Sequence, residues 1–227
     1  MKYVGVEICK EEINNFIQYI ENYAINYKNI TLDKSTIEFY RFISKQIIFF
    51  KFILKAYPKT YAIKVIISDF LSLILNDLKS EVRYYYLNQR SVIENYMRMI
   101  LKDEVNISHI TKQSFLNLKQ QNELELSEKE YNKIINEYKI SCSFIHGGDF
   151  LRVHLVSNFE ECIESKPKIS ERQRKSQISQ FIELINILNK LFLIHNTEAV
   201  DNSFHRSKVT LEYLMGKRYM NKFYQIK

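Results

Sequence analysis

Only four glycines and two prolines punctuate the 227 residues, and this shortage excludes most architectures before any pattern is read. A β-sandwich or barrel reverses direction every few residues and builds its turns largely from Gly, Pro, Asn and Asp. Helices need far fewer reversals. Hydrophobic residues make up 46% of the chain, with 16 Tyr, 15 Phe and no Trp, enough apolar surface for a shared interior. The expected fold class is therefore all-α, a helical bundle of about seven to eight helices, and the length fits a single helical domain over residues 1–227.

The apolar spacing places most of these helices. Ile13, Phe16, Ile17, Ile20 and Ala24 recur at i, i+3, i+4 and predict a helix over about 11–27. A second begins near Asp33 or Ser35 and runs to Ala56, before Pro58; its apolar residues nearly encircle it, so it should be central. A third passes through Ile63, Ile66, Phe70 and Ile74, and nothing from Asp77 to Leu101 interrupts a helix. The third and fourth are thus one long rod or two helices with a kink near Ser80. A weaker helix is expected over 108–118. Ser127 and Glu130 form a capping box that starts the next one, which Gly147 and Gly148 stop directly after His146. Residues 151–156 alternate apolar and polar, as an extended or an irregular segment. A long helix over 171–195 follows Pro167 and Ser170, and a last one over about 207–224 closes the chain.

Three cysteines, Cys9, Cys142 and Cys162, are widely spaced without a Cys-x-x-Cys pair, which argues against a disulfide framework or a zinc knuckle and for a reducing compartment. Charges at Lys2, Glu7, Lys10, Glu11 and Glu12 occupy the place of a signal peptide's apolar run. The most apolar stretches, 42–57 and 62–75, contain charges and fall short of the ~20 residues a bilayer span needs. The expectation is a cytoplasmic protein without a membrane partner. Its formal charge of +7 is unevenly placed: residues 1–165 hold 21 basic and 21 acidic residues, and residues 166–227 hold 12 and 5. A localised positive field attracts polyanions, with nucleic acid the commonest in cells. Lys217, Arg218 and Lys222 are the candidate contacts in the basic C-terminal helix, residues 197–227; a solvated lysine-rich surface is the alternative reading.

No Gly-rich phosphate loop, His-Glu-x-x-His or Gly-x-Ser-x-Gly motif is present, and no metal or cofactor is expected. Two segments stand out. On the fourth helix Arg90 falls inside the apolar arc, while Glu94 and Arg98 follow at i+4 steps along its edge. Such a ladder is either a bridge fixing helix register or an Arg positioned with spare donors toward an anionic group. In the second segment His146 sits in the last helical turn, where the macrodipole favours the protonated ring. Ser143 stands one turn earlier and Lys139 two. A histidine exchanging a proton near neutral pH beside a cation suits acid/base cleavage of a phosphodiester; capping of helix-end carbonyls is the plainer role.

Together the Arg-x-x-x-Glu helix and the Ser-x-x-His helix end, some 50 residues apart, resemble the HEPN superfamily of helical-bundle proteins frequent in prokaryotic toxin-antitoxin, abortive-infection and phage-defence systems. The resemblance covers about residues 60–195 and implies a four- or five-helix core, here 58–196 with N-terminal helices at 1–57 before it. It further implies a homodimer with the active groove at the interface, metal-independent cleavage of RNA, and an antitoxin or defence subunit as a protein partner. Carried onto this chain, His146 is the proton-transfer residue, Arg90 and Glu94 orient it or the phosphate, and Lys139 and Arg98 contact nucleic acid. The catalytic members carry Arg, four to six residues, then His; here Lys139 stands at that distance before His146 and Lys190 before His195, which makes His195 a second candidate. The other reading is a non-catalytic helical module that binds RNA, a nucleotide or a partner protein through its basic C-terminal region.

Overall fold

The computed structural model describes residues 4–102, 110–121, 125–145 and 170–226, apart from the side chains of 4, 218, 221, 222, 225 and 226. Among these the chain is an all-α bundle, with no strand. In order its helices are α1 (Val4–Lys28), α2 (Lys34–Ala56), α3 (Tyr61–Leu78), α4 (Val82–Leu101), α5 (Lys112–Gln120), α6 (Glu128–Ile145), α7 (Glu171–His195), α8 (Thr197–Ser203), α9 (Lys208–Met215) and α10 (Lys217–Ile226).

The helix starts follow the local chemistry. Asp33 caps α2 by accepting from the Thr36 amide at 2.7 Å, and that bond holds its carboxyl down at about 2. Ser127 and Glu130 bond reciprocally ahead of α6, and Ser170 and Gln173 do so at α7, so each leaves fewer first-turn donors unsatisfied.

Two boundaries refine the expectation. The choice between rod and kink resolves as a reversal: Ser80 takes a left-handed φ of 58°, and α4 folds back along α3 as a tight hairpin. A left-handed non-glycine residue costs roughly 1–2 kcal/mol, which the packing of the two helices must exceed. Near the C-terminus the expected single helix is two, because Gly216 sits at φ 93° and breaks it between α9 and α10. These and the short α8 raise the number of segments above the seven or eight expected.

The α2 helix is the axis of the fold, as its all-round apolar pattern requires, packing on α1, α3, α7, α8 and α9. Phe49 and Phe50 meet Phe192 edge-on, and Tyr96 stacks edge-on against Phe50 at 5.4 Å between centroids. Phe204 of the segment after α8 lies parallel to both Phe49 and Phe52. Inside this aromatic core one polar chain is closed: the Tyr96 hydroxyl donates to Asn189 Oδ1 at 2.7 Å, and Asn189 Nδ2 donates to Gln46 Oε1 at 2.8 Å. It ties α4, α7 and α2 in one register. Gly5 permits a close approach of α1 to α9, since a Cβ there would stand 2.8 Å from Thr210 Oγ1.

Candidate functional site at the α4 and α6 helices

The α4 helix buries one face against α3, α6 and α7 and carries its charged ladder along the edge next to α6. Arg90 Nε donates to Glu94 Oε1 at 2.8 Å, and Arg98 lies 3.6 Å from Glu94 Oε2. The three side chains are half-buried. The ladder predicted from i+4 spacing is therefore formed, with Glu94 at its centre.

A fourth group, from α6, completes it. Tyr138 of α6 donates to Glu94 Oε1 at 3.0 Å, and the Arg90 guanidinium sits over its ring at 5.4 Å. Burial and the Glu94 charge push the Tyr138 phenol up to about 12, so at neutral pH it is a hydrogen-bond donor and not a base.

Toward α3 the network continues. Arg98 donates to Asn95 Oδ1, Asn95 donates to Ser91 Oγ, and Asn88 donates to Asp69 Oδ1 while accepting from Asn76. Burial raises the Asp69 carboxyl against the bonds from Ser91 and Asn88. A polar seam thus crosses three helices, with Asn88, Ser91, Asn95 and Arg98 at helical spacing on α4. That spacing was readable as a stripe; its partner Asp69 was not, because nothing local marks it.

Where α6 ends relative to this seam is set by Arg83, whose guanidinium donates to the Ile145 carbonyl at 2.9 Å, and by Phe144, stacked on Tyr86 at 4.0 Å. The two helices run antiparallel, so α6 meets Arg90 at Tyr138 and meets Arg83, two turns and about 10 Å away along α4, at Ile145. His146 lies outside the described residues. Lys139 is exposed on α6. His195 is half-buried in the last turn of α7, and Lys190, expected to serve it as the cation, is held elsewhere: it donates to Glu130 at 2.6 Å and to the Glu125 carbonyl.

The basic C-terminal region divides in two. Arg174 pairs with Asp77, Lys175 with Glu171, Lys190 with Glu130 and Lys208 with Asp201, so part of its positive charge is internal structure. Lys217 is exposed at the start of α10, while the side chains of Arg218 and Lys222 lie outside the described residues. On α10 Met220 and Phe223 are buried, and Tyr219 donates to the Asn186 carbonyl of α7.

No group of His, Cys, Asp and Glu side chains able to hold a metal occurs among the described residues, and none of their helices is long and apolar enough to cross a membrane. Comparison with protein-family models, with curated proteins and with solved structures finds no match.

Proposed function

We propose that the chain is a HEPN-like, toxin-type effector of prokaryotic defence that cleaves RNA without a metal, with His146 as the proton-transfer residue. The observation that carries this reading is the interlocked Arg90, Glu94 and Arg98 ladder, clamped by Tyr138 on the same helix that leads to His146. Glu94 fixes both guanidinium groups and offsets only one of their two charges, so the ladder keeps a net positive charge toward phosphate oxygens. In the reaction the 2′-hydroxyl gives its proton to the His146 imidazole as its oxygen attacks phosphorus, the P–O5′ bond breaks, and the departing 5′-oxygen takes a proton from water, leaving a 2′,3′-cyclic phosphate and a protonated imidazole that returns its proton to solvent. Arg90 stabilises the charge that develops on the phosphate oxygens.

Expression of the chain slows growth on this reading, and His146→Ala restores it; purified protein cleaves single-stranded RNA in excess chelator. Retained cleavage by the His146→Ala variant would remove the proposal.

The triple engagement of Glu94 favours one second reading, in which the ladder is a register bridge and the molecule binds RNA or a protein partner without cleaving. Binding then depends on Lys217, Arg218 and Lys222, is indifferent to His146, and weakens steeply with salt.

A further inference from the structure

Beyond the ladder, the described residues enclose a second polar feature, a cavity of about 70 Å³ where the α3 to α4 reversal meets the first turns of α7. It has room for about five water-sized groups. Its lining is charged and incompletely paired. Asp77 Oδ2 accepts from both the Tyr40 hydroxyl at 2.6 Å and Arg174 Nη2 at 2.8 Å, so one oxygen of that carboxylate carries two donors. The Arg174 guanidinium also engages the Tyr40 oxygen and the charge of Asp33, and its five N–H groups leave further donors beyond these. Tyr85 lines the same cavity at 2% exposure, and its hydroxyl is buried with no hydrogen-bond partner.

A buried phenol without a partner is uncommon, because desolvating it is costly unless an acceptor replaces water. Burial and the nearby Asp77 carboxylate keep it protonated, so the group it lacks is an acceptor. Glu81, also in the lining, occupies the N-cap position of α4 yet its side chain makes no cap hydrogen bond. The Tyr85 hydroxyl and the remaining Arg174 donors therefore call for an acceptor of anionic character. The Glu81 carboxylate calls for a cationic group.

We propose that this cavity binds a small α-amino acid as its zwitterion, the carboxylate held by Arg174 and the Tyr85 hydroxyl and the ammonium by Glu81. A simple anion would add negative charge beside Asp77 and Glu81 and leave Glu81 unanswered, and a simple cation would leave the Tyr85 hydroxyl without an acceptor. The volume matches glycine or alanine, and a longer side chain would have to leave through the open mouth.

The site is independent of RNA cleavage and is tested on the full chain by isothermal titration with glycine and alanine, alongside acetate and methylamine as the separated halves. Saturable binding of glycine or alanine, with both halves at least tenfold weaker, supports it. Tyr85→Phe and Glu81→Gln should each weaken that binding at least fivefold while the thermal unfolding midpoint stays within about 2 °C. Glu81 has no hydrogen-bond partner among the described residues, so its variant keeps the test open should Tyr85→Phe disturb folding. Absence of saturable amino-acid binding, acetate binding as tight as alanine, or unchanged affinity in Glu81→Gln would each overturn the proposal.

Discussion

The α4 helix carries two polar networks, and they differ in kind. On its deep side Tyr96 joins Asn189 and Gln46 in a chain of neutral groups, each no more than 3% exposed. Along its outer edge Arg90, Glu94 and Arg98 form a charged ladder whose members keep 16–27% of their side-chain surface. Neutral amides and phenols can be fully satisfied in a dry core, where ions would carry a large desolvation cost; charges persist where water still reaches them. The inner set ties α2, α4 and α7 together in the dry core, and the charge of the molecule is kept to the edge where water offsets its desolvation.

The sharpest way to break this contrast is Asn189→Ala. It strips partners from Tyr96 and Gln46 at once and should cost about 3 kcal/mol by urea unfolding. Replacing all three together, as Gln46→Leu, Tyr96→Phe and Asn189→Leu, should recover most of that loss, since no polar group is then left unpaired. Next in size is Glu94→Gln, expected to cost about 1 kcal/mol at low salt and less at high salt, because the half-exposed ladder is screened where the core network is not. An equal loss in 1 M salt would show the ladder to be as enclosed as the core chain.

The smallest effect has the opposite sign. The Asp69 carboxyl is raised by burial above its free value of 3.8, so the folded state holds that proton more tightly than the unfolded state and stability falls as pH rises through its folded pKa. Asp69→Asn should remove this decline and stabilise the chain by a few tenths of a kcal/mol near pH 7, with the two proteins converging toward pH 3 in parallel denaturation curves. Asp33 works the other way. Its carboxyl, held at about 2 by the Thr36 amide, contributes stability present above about pH 4 and lost as pH falls toward 2, a slope that Asp33→Ala should abolish.

Local signals in the sequence were enough for the elements whose causes are local. Asp33, the Ser127 and Glu130 pair and the apolar rows of α2 each act within one or two helical turns, and the corresponding helices start where those residues require. The i+4 ladder on α4 formed for the same reason. What escaped depends on chain reversal and long-range contact. Ser80 looks helix-compatible by propensity, and only the packing of α4 on α3 reveals that it turns the chain. Tyr138, 44 residues from Glu94, and Asp77, 97 residues from Arg174, have no mark in the sequence that names their partners. Arg174, counted only within the basic excess of residues 166–227, is half of an internal ion pair, because charge counting ignores what tertiary folding brings alongside.

The tie between Gln46 and Asn189, 143 residues apart, also sets a schedule for synthesis. Helix α2 leaves the ribosome with Phe49, Phe50 and Phe52 uncovered, and their partners Phe192 and Phe204 follow about 10–30 s later at ordinary elongation rates. Through that interval the nascent chain presents an aromatic surface to its surroundings, so its yield in cells should track chaperone supply more closely than final stability.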